Sequence, residues 1–204
     1  MRGMLLSFSD PRAGIVPTPV PFQYNPSEVT RVLRPQAGTS GGSGLRVAGP
    51  PTETYTVKLE LDALDAPDKP LTGTLGVGPL LATLESMLEP GGGGTSGLVG
   101  AVAGLLAGGG SPTAVPVPTL PLVILAWSIQ RMVPVRIETY TAHETGFDAT
   151  LQPVQATVDL SLTVLRPSDV DPSLTLSTVM AAAYQTVRQA SAVAGVAQGL
   201  ELMV

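Results

Sequence analysis

The chain has 204 residues and no cysteine. It therefore forms no disulfide, builds no thiolate metal site and offers no cysteine nucleophile. Histidine is represented once and aromatic residues make up 4%, which leaves little material for imidazole-based chemistry. Charge is sparse and mildly acidic, with 11 Lys and Arg against 16 Asp and Glu. The basic residues form no cluster able to neutralise a row of phosphates, so nucleic-acid binding is not expected. Long apolar runs are also missing. The most apolar stretch, Val115 to Ile129, contains Pro116, Pro118 and Pro121 and falls short of the ~20 residues that cross a bilayer. Near the start, Met4-Leu5-Leu6 is much shorter than the ~7 to 15 apolar residues of a secretory leader, so neither a leader nor membrane insertion is expected. The length fits one domain over residues 1–204, with enough chain to bury a core.

Glycine and proline are plentiful instead, with 23 and 20 residues. They gather in two aperiodic stretches, 36–53 and 91–117, which read as glycine- and proline-rich loops. Within the second, Leu98 to Leu106 is small and apolar and reads as a short helix at a contact or, the better fit since glycine costs helix stability, as a collapsed loop. Neither stretch cradles a phosphate, because no Gly-Lys-Ser/Thr follows the glycines, and Gly76-Val77-Gly78 runs straight into Pro79. Gly38 to Gly42 matches Gly-x-Ser-x-Gly only formally, without the flanking strand and helix that the nucleophile elbow requires.

Between the loops, strand patterns are strong. Tyr55, Val57, Leu59 and Leu61 alternate with polar residues, and so do Val154, Ala156, Val158, Leu160, Leu162 and Val164, the period of a strand with one dry face. Val133, Val135 and Ile137 continue the theme, and Pro134 among them predicts an edge position or a bulge. Pro121 to Ile129 is continuously apolar, as in a strand buried on both faces. Leu80, Leu81, Leu84, Met87 and Leu88 predict a helix over Gly78 to Pro90, opened by Pro79 and ended by Pro90. An alanine-rich segment, 173–198, predicts a C-terminal helix with Leu176, Val179, Met180, Ala183, Tyr184 and Val187 as its stripe. The order of elements indicates α+β architecture with a mainly antiparallel sheet or barrel.

Catalytic constellations are not found. His143 has Glu144 and Asp148 nearby, but acid-base or metal chemistry needs a convergent set of groups that the sequence does not supply. Asn25 is followed by proline, which removes the glycosylation reading. Glu53, Asp62, Asp65 and Asp68 read as acids solvating a strand end and its loop. No catalytic residue, cofactor or metal site is expected, and a β-rich assembly or binding protein fits better than an enzyme.

Several segments in order carry a resemblance: Phe22 to Pro26 (aromatic-x-aromatic-Asn-Pro), the aliphatic run ending at Trp127, the Pro134-Val135-Arg136 strand, and Phe147-Asp148 leading through Leu151 and Pro153 into the alternating strand. In these the chain resembles the tube-domain family of baseplate proteins from contractile injection systems, the phage tail-like particles. The resemblance covers most of the chain outside the two loops. It implies a fold of the phage-tail-tube type, with a packing helix and a C-terminal helix. The implied function is that of a structural adaptor whose copies form a ring, six by resemblance, joining the spike or hub to the inner tube proteins, with the baseplate wedge as a further neighbour. The implied setting is the cytoplasm, within such a particle that is either retained by the cell or released. Many members carry a LysM domain after the tube domain, which this sequence does not show.

On that reading Phe22, Tyr24, Asn25, Pro26, Trp127 and Phe147 are expected as core anchors or as subunit and partner contacts. Lys58, Glu60, Arg136, Glu138, Gln155, Thr157 and Asp159 are expected on a polar face turned toward a channel or a neighbouring subunit. A soluble β-rich binding module, or another tail structural protein, is the alternative.

Overall fold

A computed structural model describes residues 2–8, 17–37, 47–65, 75–90, 120–128, 131–170 and 174–201. The strands are β1 (Met4–Phe8), β2 (Thr18–Pro21), β3 (Val29–Ala37), β4 (Val47–Asp62), β5 (Leu122–Ser128), β6 (Arg131–Phe147) and β7 (Pro153–Val164). Helix α1 (Gly78–Ser86) lies between β4 and β5, and a short 3-10 turn (Pro167–Asp169) leads to helix α2 (Thr175–Glu201). All seven strands join one sheet in the order β2-β1-β5-β6-β7-β4-β3, and every pairing is antiparallel. This is the α+β, mainly antiparallel architecture that the element order predicts.

The sheet curls without closing. In a flat sheet β2 and β4 would stand about 24 Å apart, five inter-strand spacings of ~4.8 Å. Yet Gln23, two residues past the end of β2, bonds the backbone of Asp62 at the end of β4. Its Nε2 donates to the Asp62 carbonyl at 2.5 Å and its Oε1 accepts from the Asp62 N–H at 2.9 Å. Two residues reach only about 7 Å, so the sheet must bend round until its two ends meet. The two edge strands, β2 and β3, remain unpaired with each other.

The alternating residues fill the inside of the curl. Val158 and Leu162 are fully buried and join Tyr55, Val57, Leu59, Val133, Val135 and Leu5 in one core. Leu122 to Leu125 are buried without alternation, so both faces of this part of β5 are covered. Helix α1 adds Leu81 and Leu84, with Met87 just beyond it. It ends at Ser86, earlier than Pro90, because the chain turns there, with Met87 and Leu88 N–H groups bonding back to Leu84 and Glu85.

Three further expectations are corrected. Pro134 lies on neither an edge nor a bulge: it pairs with Ile124 in the interior strand β6. Its carbonyl accepts from the Leu165 N–H at 2.9 Å, so its missing donor faces the frayed end of the β6–β7 ladder, one step past the Val135–Val164 pair, where only one bond is lost. The bulge falls at Glu138, between the Ile137–Leu162 and Thr139–Ser161 pairs, and shifts the inward phase from odd residues to Tyr140 and Ala142. The first loop is shorter than 36–53 at both described ends, since β3 runs to Ala37 and β4 begins at Val47 with Pro50 and Pro51 inside it; the rest of that stretch and 91–117 lie outside the described residues. On α2 the packed stripe is rotated from the expected one: Ser177 and Ala181 are buried, whereas Val179 and Val187 are 57% and 49% exposed.

Candidate functional site

The outward positions of β4, β7 and β6 form continuous polar rows. Reading across the strands, Lys58 faces Asp159, which faces Thr141; Glu60 faces Thr157, which faces His143; Asp62 faces Gln155, which faces Thr145. Cross-strand pairs are the stabilising unit of a sheet surface, and here Gln155 Nε2 donates to Asp62 Oδ2 at 2.8 Å. Lys58 and Glu60 are exposed and Thr157 and Asp159 half-buried. Arg136 and Glu138 continue the face toward β5 and pair with each other at 2.5 Å; both are open to solvent, so the pair adds little stability. The seven polar residues named from the sequence thus share one surface, backed by the core.

The Phe22–Pro26 segment links the ends of the curled sheet. Phe22 is buried and its ring lies 6.3 Å from that of Trp127, tilted by 57°, a favourable edge-on aromatic pair. Its N–H donates to the Gly3 carbonyl at 2.9 Å, and the Gly3 N–H donates to Asn25 Oδ1 at 2.8 Å. Gly3 has to be glycine: a Cβ there would sit 2.8 Å from the Phe22 ring. Tyr24 turns outward and its hydroxyl bonds Asp65. With Asn25 and Pro26 it borders a hollow of about 350 Å³ that opens onto Lys58 and Glu60. Phe22 and Trp127 are therefore core anchors, whereas Tyr24 keeps 39% and Phe147 53% of its surface free.

Phe147 pairs with Pro153 at the β6–β7 turn. Asp148 holds that turn by accepting from the N–H groups of Thr150 and Gln152 and from the Thr150 hydroxyl, at 2.7, 2.9 and 2.7 Å. These bonds keep its carboxyl below the ordinary value. Leu151 takes the left-handed backbone with φ of 64°, although it is not glycine.

A charged cluster lies where β4, β3, the start of β6 and α2 converge. Glu53 does not solvate a strand end: it is 3% exposed and lies on the inward phase of Tyr55, Val57 and Leu59. Arg31 Nε approaches its Oε1 at 2.5 Å and Arg188 Nη1 its Oε2 at 3.0 Å, and the Tyr184 hydroxyl donates to Oε1 at 2.8 Å. Burial alone would push this carboxyl up, but the bonds from Arg31 and Tyr184 outweigh it and hold the group below its ordinary 4.5. Burial, then the bonds to Tyr55 and Glu53, push the Tyr184 phenol far up. Arg131 stacks over the Tyr55 ring at 5.4 Å and donates to its hydroxyl at 3.3 Å. Sequence reading missed this cluster, although extending the Tyr55–Leu61 alternation back by two places Glu53 inside.

His143 is exposed and stands 3.9 Å from Asp159. Among the described residues no three His or carboxylate groups lie close enough together to hold a metal ion, and no helix is long and apolar enough to cross a membrane. No model of a known protein family matches the chain, and no curated protein matches it.

Proposed function

We propose that this chain is a structural baseplate subunit of a contractile injection system, whose copies assemble, six to a ring, between the spike or hub and the inner tube. The observation that carries the reading is an open, curled sheet with a dry inner face, a polar outer face over β4, β7 and the middle of β6, and a nine-residue edge strand, β3, that pairs only with β4 among the described residues. An edge of that length invites pairing with another chain, and repeated copies remove it by closing a ring. The other edge, β2, carries Pro19 and Pro21 in four residues, which blunts it for direct strand addition, so β3 is the edge that a neighbour would extend. The order of the Phe22–Pro26, Trp127, Pro134–Arg136 and Phe147–Pro153 segments supports the same family. On this reading the polar rows line a channel or meet the adjoining subunit, and Tyr24 and Phe147 are contact residues. The chain would act within a phage tail-like particle in the cytoplasm. Electron microscopy of particles assembled from sheath, tube, spike and this chain tests it: a ring of this chain is expected between spike and first tube layer. Complete particles that lack the chain would sink the reading.

A second reading, a monomeric β-rich binding module, is favoured by the groove beside α2. It predicts a monomer at all concentrations, with a melting temperature raised by ligand.

A further inference from the structure

Between α2 and the end of the sheet lies an open groove of about 970 Å³. Arg31, Arg131 and Arg188 line it together with the apolar side chains of Met132, Met180 and Val187. Beneath it Glu53 is the one carboxylate that pairs with these arginines, engaging Arg31 and Arg188. Arg131 pairs with no carboxylate among the described residues and holds only the Tyr55 ring and hydroxyl. The groove therefore carries three positive charges against one negative, in a chain whose net charge is −5. A local excess of the minority sign, set among apolar side chains, is complementary to an acidic amphipathic surface. The groove wall on α2 repeats small and apolar residues, Met180, Ala183, Val187, Ala190 and Ala194, at the three- and four-residue spacing that receives the ridge of another helix.

We infer that this groove docks an acidic amphipathic helix of a partner protein. The partner's leucine-like side chains would lie on Met132, Met180 and Val187. Its carboxylates would meet the Arg131 guanidinium, held in place by the Tyr55 face, and the outer edges of Arg31 and Arg188. Guanidinium groups suit this task because they pair with carboxylates in a fixed planar geometry while stacking on aromatic rings. This inference does not rest on the ring reading, since the groove is complete within one chain.

The test is fluorescence polarisation with a labelled helical peptide of about five turns, leucine on one face and glutamate on its flanks, beside a lysine-for-glutamate counterpart. Saturable binding of the glutamate peptide alone, weakening with added salt, is expected. Arg131→Gln should weaken it about tenfold or more, as for loss of a hydrogen bond to a charged group, and Met180→Glu should abolish it. Arg34→Gln, on the exposed edge strand, should leave it unchanged. If Arg131→Gln melts early, Met180→Glu decides alone. Absence of binding, equal binding of both peptides, or equal loss in Arg34→Gln would overturn the proposal. So would binding confined to phosphatidylglycerol vesicles with the peptide ignored, which would make the groove a lipid-facing surface.

Discussion

The Tyr184 hydroxyl donates to Glu53 Oε1 at 2.8 Å across 131 positions of sequence. That bond and the Arg188 contact at 3.0 Å tie α2 to the sheet through a carboxylate that is almost fully buried. Glu53→Ala leaves Arg31 and Arg188 without their partner, but both side chains keep about a third of their surface in water, so the cost falls below that of an uncompensated buried charge. The substitution should lower stability by about 1 to 3 kcal/mol in urea unfolding. Glu53→Gln, which keeps the shape and loses the charge, should cost less. Equal and negligible losses would show that the cluster holds nothing together.

The same carboxyl sets an acid limit. Its folded pKa lies below the ordinary 4.5, so in the window between the two values the unfolded chain binds more protons than the folded one. Stability from this group is then fully present above the ordinary value and is lost as pH falls through the folded one. On the alkaline side Tyr140, pushed up to about 12 by burial and then by the Glu85 charge, works in the opposite sense. Its contribution is present below 10 and is lost as pH rises toward 12. Melting temperature measured against pH should hold level between, and Glu53→Gln should reduce the acid fall.

Neighbouring residues on β7 should respond in opposite ways. Val158 is fully buried, so Val158→Asp places an unpaired charge in the core and should yield no soluble folded protein. Asp159, half-exposed on the polar face, should accept leucine with the monomer still folded, as judged by circular dichroism. If both variants express and fold alike, the assignment of faces is wrong.

Two backbone positions predict opposite signs. A Cβ at Gly76, whose φ is 64°, would come within 2.3 Å of the Pro153 carbonyl, so Gly76→Ala should cost about 2 kcal/mol or more. Leu151 adopts the same backbone region while 79% exposed. Leu151→Gly relieves a penalty of about 1 to 2 kcal/mol against a comparable gain in unfolded-chain entropy, so it should be neutral or slightly stabilising in thermal melts.

The exposed edge offers a check on assembly. Val32 and Leu33 of β3 are 38% and 40% exposed, and charges on an edge strand block edge-to-edge pairing. The double variant Val32→Lys, Leu33→Lys should leave the monomer's melting curve intact while preventing ring formation with the spike and tube proteins, read by negative-stain microscopy.

Much of the fold was legible because its strands alternate. The period-two pattern in Val154 to Val164 and Tyr55 to Leu61 needs only one wet face and one dry one, and the sheet supplies that. The pattern was less informative where context decides. Pro134 looked like an edge residue because the ladder end that tolerates it is set by where β7 stops, far along the chain. Glu53 looked like a surface acid because the arginines that neutralise it come from β3 and from α2, and the fold alone brings them together. The rotation of the α2 stripe has the same origin: in an alanine-rich helix many phases look apolar, and the Tyr184–Glu53 bond selects one of them.

The Gln23 amide, bonded twice to the backbone of Asp62, takes the place that a strand would occupy beyond the end of β3, whose pairing with β4 begins at Val29 and Val57. That clasp, with the Tyr24–Asp65 bond beside it, joins the two ends of the curl. On the proposed ring reading, the bore would follow from that clasp, and loosening it would change the gauge of the assembly before it unfolded any one copy.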